Sequence, residues 1–68
     1  MKYKIQEEIK QQFLGKDQHT NRYKLAEELD RTGETIKLWM KEKTEFHDSI
    51  IKAIGKVLKL KKSQIILK

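Results

Sequence analysis

No apolar run in this 68-residue chain exceeds three residues, as in Ile65-Ile66-Leu67, and elsewhere apolar side chains recur at intervals of three and four. A chain patterned this way cannot cross a membrane as a helix. It has to bury several short amphipathic helices against one another. Ile5, Ile9 and Phe13 form one stripe on a helix over about 2–14, closed by Leu14-Gly15 and the polar stretch 16–20. Asn21 is a good N-cap for a second helix whose inner face is Leu25, Ala26 and Leu29. Thr32 suits the cap of a third, with Ile36, Trp39 and Met40 facing inward. A fourth follows if His47 caps it and Phe46 and Ile51 form a hydrophobic staple. Its buried stripe is Ile50, Ile51, Ile54, Val57 and Leu58, with Lys52, Lys56 and Lys59 opposite. Residues 63–67 suit either one helical turn or a strand, since Ile65-Ile66 fits both. The expectation is a single all-α domain of five helices over residues 1–68.

A domain this short is marginally stable, and this one lacks the usual aids. There is no cysteine, which excludes disulfides and thiolate zinc sites and fits a cytoplasmic protein. No proline interrupts the helices, and no apolar stretch follows Met1-Lys2-Tyr3-Lys4 to make a signal peptide. The net charge of +6 draws the chain to polyanions, but it is unevenly placed. Residues 1–51 hold 10 basic and 10 acidic side chains, whereas Lys52, Lys56, Lys59, Lys61, Lys62 and Lys68 follow without an acid. A lysine-rich end of this kind is either a solvated face or a binding surface, and charge alone does not choose.

The most informative stretch is Leu25-Ala26-Glu27-Glu28-Leu29, the turn Asp30-Arg31-Thr32, then Ile36 and Trp39. Two helices joined by so short a turn cross at a steep angle only if a small residue lies where their axes approach. Ala26 supplies it, and Leu25, Leu29, Ile36 and Trp39 fill the wedge. Such a pair leaves the outer side of its second helix free to enter a DNA major groove.

From about Arg22 to Leu67 the sequence resembles the Cro and phage-repressor type of helix-turn-helix, the Xre-like or lambda-repressor-like family. "LAEEL" is similar to the family's first-helix signature and "TGETIKLW" to its capped recognition helix, and the apolar spacing from Trp39 to Ile66 agrees without a gap. The resemblance implies a five-helix lambda-repressor-like domain with its motif at about 22–42 and a recognition helix at about 33–42. It further implies a sequence-specific double-stranded DNA-binding transcriptional regulator, cytoplasmic and nucleoid-associated, with no cofactor. The sequence departs from the family pattern at Asp30, Glu42 and Lys59, where glycine is usual, at Arg31 for a buried aliphatic residue, and at Phe46 for a frequent proline.

By resemblance the groove-facing residues are Thr32, Gly33, Glu34, Lys37, Leu38 and Lys41. Helical periodicity agrees, turning Gly33, Glu34, Lys37, Leu38 and Lys41 outward when Ile36, Trp39 and Met40 face inward. Lysines donate to guanine O6/N7 or phosphate, a glutamate accepts from cytosine N4, and a leucine covers a thymine methyl. Asn21 and Arg22 at the start of the first motif helix, and Lys43 and Thr44 after the recognition helix, are phosphate candidates. A homodimer through Ile65, Ile66 and Leu67 would match a palindromic site. In the family the fifth helix lies away from DNA, which leaves the lysine-rich end without a role.

Two rivals remain. The fold can serve as an antirepressor-like protein-interaction module, which the near-neutral first 51 residues favour. Alternatively, residues 50–60, "IIKAIGKVLKL", read as a basic amphipathic helix for a membrane surface. An enzyme is not expected. His19, His47, Ser49 and Ser63 are the only histidines and serines, and His47-Asp48-Ser49 are neighbours that cannot face one another along a helix. No catalytic or metal-binding residue is assigned.

Overall fold

Apolar side chains at three- and four-residue spacing close a core only when their helices are short enough to turn around it. The computed structural model describes residues 1–67. In chain order the elements are β1 (Lys2–Tyr3), α1 (Glu7–Leu14), α2 (His19–Leu29), α3 (Gly33–Glu42), β2 (Phe46–His47), α4 (Asp48–Leu58) and α5 (Lys62–Ile65). Helix α2 packs on α3 and α4, α1 lies against α2 and α3, and α5 folds back on α4. Phe13, Leu25, Ile36, Met40, Phe46, Ile51, Ile54 and Ile65 lie at the centre, and the buried set is wholly apolar.

The N-terminal segment departs from the expected all-α fold. A helix over 2–14 is predicted by the stripe Ile5, Ile9, Phe13, but the helix begins at Glu7 and the residues before it are extended. Strand β1 pairs antiparallel with β2, Lys2 opposite His47 and Tyr3 opposite Phe46, and Ile5 bridges to Ile66. The Gln6 amide donates to Ile65 O at 2.9 Å and the Leu67 amide to Lys4 O at 2.8 Å. The Gln6 carboxamide reaches Gln64 O and Ile66 O, each at 3.3 Å. These partners give the extended backbone the hydrogen bonds that a further helical turn would have supplied. Ile5 reaches the core either way, which is why its spacing mimics one more turn. Residues 63–67 take both readings in sequence, the helical turn of α5 and then the bridge at Ile66.

Caps explain most of the remaining boundaries. Thr32 Oγ1 accepts from the Thr35 amide at 3.2 Å, as its position at the head of α3 predicts. Asn21 does not cap α2, which starts two residues earlier, at His19. Its carboxamide instead donates to Gln12 O at 2.9 Å and Gln18 Oε1 at 2.8 Å, tying α2 back to α1. His47 holds the cap position of α4 without a side-chain bond; the Asp48 amide donates to Met1 O at 3.3 Å, so the N-terminal segment helps cap that helix. Phe46 and Ile51 are both buried, in keeping with the expected staple. Asp30 takes the left-handed backbone at φ 55° that ends α2, with the Arg31 amide donating to Ala26 O at 2.8 Å. An aspartate thus fills a glycine's role in the turn.

Lys59 ends α4 in the same left-handed conformation, at φ 58°. The chain then turns back so sharply that the Leu60 amide donates to Gly55 O at 3.0 Å, and a Cβ on Gly55 would lie 2.8 Å from Leu60 O. Glycine is therefore required inside α4 by close backbone approach. Gly55→Ala should lower stability by about 1–3 kcal/mol although alanine is the better helix former. Urea denaturation is the check, and an unchanged or raised midpoint would show that the α4–α5 turn yields freely.

The lysine-rich end is partly internal stitching. Lys56 pairs with Glu28 of α2 at 3.3 Å, and Lys52 and Lys62 flank Asp48 at 3.5 and 2.8 Å. Lys62 also donates to the Tyr3 hydroxyl at 2.8 Å and lies 4.0 Å from that ring's centroid. The hydrogen bond from Lys62 holds the Asp48 carboxyl below its ordinary range, and the bond to Asp48 raises the Lys62 ammonium. These pairs are solvated, so they orient α5 and β1 more than they stabilise them.

Candidate nucleic-acid interface

Because Ile36 and Met40 are buried, the outer face of α3 is set by helical periodicity. Glu34, Thr35, Lys37, Leu38 and Lys41 line one open groove there. A second groove lies between α2 and the head of α3, lined by His19, Arg22, Tyr23, Thr32, Gly33 and Glu34. Glu34 belongs to both, so the two form one continuous surface. The predicted reading residues Thr32, Gly33, Glu34, Lys37, Leu38 and Lys41 are brought together on it. The Thr32 hydroxyl is already engaged as a cap, which makes its part in this surface mainly structural.

Leu38 is 51% exposed. Lys37 and Lys41 are one turn apart, and among the described residues neither they nor Glu34 enter an ion pair. Like charges at this spacing destabilise a helix by a few tenths of a kcal/mol, on the order of 0.2–0.5. The basic side chains of α4 behave differently, since two of them find acids. The outer face of α3 therefore keeps its charges out of ion pairs, with Glu34 in its first turn and Lys41 in its last placed favourably for the helix dipole.

The phosphate candidates divide. Arg22 lines the second groove, while its Nη1 donates to Phe13 O at 2.8 Å and Gly15 O at 3.2 Å. It thereby closes the α1–α2 connection. Asn21 is not on the groove, because its carboxamide is committed to Gln12 and Gln18. Lys43 lies beside Trp39, its ammonium 5.6 Å from the ring centroid, and lines neither groove. Thr44 faces a separate groove with Lys4, Lys10 and Leu67. Trp39 is only partly buried and not the fully inward ring its spacing predicts; it packs against the outside of the core, with the Arg31 guanidinium 5.9 Å and the Lys43 ammonium 5.6 Å from its ring centroid.

Sequence reasoning missed His19, Tyr23 and Thr35. Tyr23 is 66% exposed and its ring meets His19 edge-on with centroids 6.4 Å apart. A Cβ on Gly33 would lie 3.6 Å from the same ring, which places Tyr23 at the joint between α2 and α3. Starting α2 at His19 would have put His19 and Tyr23 on one outward face, so the missing signal was the helix boundary. The expected dimer contact also changes. Ile65 is fully buried in the chain's own core and Ile66 is half-buried in the bridge to Ile5, which leaves only Leu67, at 57% exposure, of the three.

Among the described residues no three of His, Asp and Glu lie close enough to hold a metal ion, and no helix is long and apolar enough to cross a membrane. Compared with known proteins, the chain matches no family model, no curated protein and no solved structure. Its likeness to the Cro and phage-repressor type rests on its own residues alone.

Proposed function

We propose that this chain is a sequence-specific double-stranded DNA-binding transcriptional regulator of the lambda-repressor-like kind, acting in the cytoplasm at the nucleoid, with α3 entering the major groove. One observation carries this reading: the outer face of α3 holds two unpaired, like-charged lysines around an exposed leucine and a carboxylate. Against a major groove each part of that face has a partner. Lys37 and Lys41 meet phosphate or guanine, Leu38 a thymine methyl, and Glu34 a base amino group. Arg22, across Glu34 from those lysines, supplies positive charge on the opposite flank, as two phosphate strands bordering one groove require.

The membrane alternative loses its apolar surface, because Ile50, Ile51, Ala53 and Ile54 are buried. The interaction-module alternative keeps its force only if an acidic protein covers the same lysines. Salt dependence separates them. If Arg22, Lys37 and Lys41 neutralise about three phosphates, log affinity should fall against log salt with a slope near −2.7. Titrating a random duplex pool at several salt concentrations measures it. No binding at low salt would remove the DNA reading and leave the interaction module.

A further inference from the structure

Glu34 is out of place on a surface whose work is to meet phosphate. It lines both grooves, between Arg22 and His19 on one side and Lys37 and Lys41 on the other. Among the described residues it is in no ion pair, so no lysine cancels its charge. It sits in the first turn of α3, where a negative charge suits the helix dipole, but the Thr35 amide there is already capped by Thr32. A carboxylate held at the centre of a DNA-facing surface repels the duplex unless a hydrogen-bond donor stands opposite. In the major groove the base donors are exocyclic amino groups, N4 of cytosine and N6 of adenine.

We infer that Glu34 is the discriminating residue of this surface, one that weakens binding to duplex DNA in general and is compensated only where an exocyclic amino group faces it. This inference rests on the DNA reading proposed above. Discrimination then comes from a penalty against wrong sites as much as from a contact with the right one. The signature is a change of opposite sign in two affinities. Removing the charge should strengthen binding to random duplex and weaken preference for the selected site.

The experiment first selects a preferred duplex from a random pool with the wild-type chain. Dissociation constants for that duplex and for a random one are then measured with wild type, Glu34→Gln and Glu34→Ala. Both variants should bind random duplex several-fold more tightly, with the ratio of specific to random affinity falling about tenfold. Repeating the selection with Glu34→Ala, which leaves no acceptor, should relax one base pair, a C·G pair if cytosine supplies the amino group and an A·T pair if adenine does. Thermal melting of each variant runs alongside. An unchanged ratio with the same selected bases would overturn the inference while leaving the DNA reading intact. Parallel loss of both affinities together with a lowered Tm would also overturn it, making Glu34 a helix-terminus charge and nothing more. A wild-type chain that prefers no duplex would remove the DNA reading and this inference with it.

Discussion

Lys37→Ala, Leu38→Ala and Lys41→Ala combined should leave the domain folded and abolish its preference for a selected DNA site. The three side chains share the outer groove of α3, and none belongs to the buried set. Alanine is a good helix former, and the substitution removes a like-charged pair, so stability should stay within about 0.5 kcal/mol of wild type. Base contacts carry the sequence information, and each good one contributes about 1–3 kcal/mol of discrimination. Losing three should reduce the ratio of specific to random affinity by about 100-fold or more. Residual salt-dependent binding should persist through Arg22 and the exposed lysines elsewhere. Circular dichroism melting with paired titrations on the two duplexes checks both halves. A folded triple variant that still prefers the same site would show that some other face does the reading.

Phe46→Ala should unfold the domain. Phe46 is fully buried, belongs to β2 and lies one residue before the cap of α4, so its ring serves the sheet, the staple and the core at once. Removing a buried phenylalanine costs about 3–5 kcal/mol, which is comparable with all that a single core of this size supplies. The same change at Trp39 should cost less, because that ring is only partly buried and packs against the outside of the core. Thermal melts of both variants test the ranking. A Phe46→Ala protein that melts above Trp39→Ala would mean that the core closes around the tryptophan instead.

The helices were legible in the sequence wherever a stripe and a cap agreed, as at Thr32 for α3 and at Phe46 and Ile51 for α4. Asp30, a departure from the glycine usual in the resembled family, takes the left-handed backbone that glycine would have supplied. Residues 2–6 were not legible, because Ile5 keeps helical phase with Ile9 and Phe13 while its backbone partners lie some 60 residues away in sequence at 64–67. Local patterns carry no signal for such a pairing. Asn21 misled for a related reason: its side chain has good capping chemistry but turns it toward the end of α1. At the candidate site, the resemblance and helical periodicity together pointed to the outer face of α3. His19 and Tyr23 were hidden by the three-residue error in where α2 begins, since its cap position is Gln18 and not Asn21.

The seam formed by residues 1–6 also bears on the order in which this chain can fold. Helices α2 and α3 meet through a turn of three residues, a loop that closes fast and at small entropic cost. The seam, in contrast, joins residues 2–6 to 46–47 and 64–67, contacts of the greatest sequence separation in the chain. Such contacts form late and slow folding. The helix pair that would meet DNA can thus assemble while both ends are still loose, and the seam sets as the last step. Opening should follow the reverse order. Amide hydrogens at Gln6 and Leu67, which donate across the seam, should exchange through partial opening, ahead of those within α2 and α4.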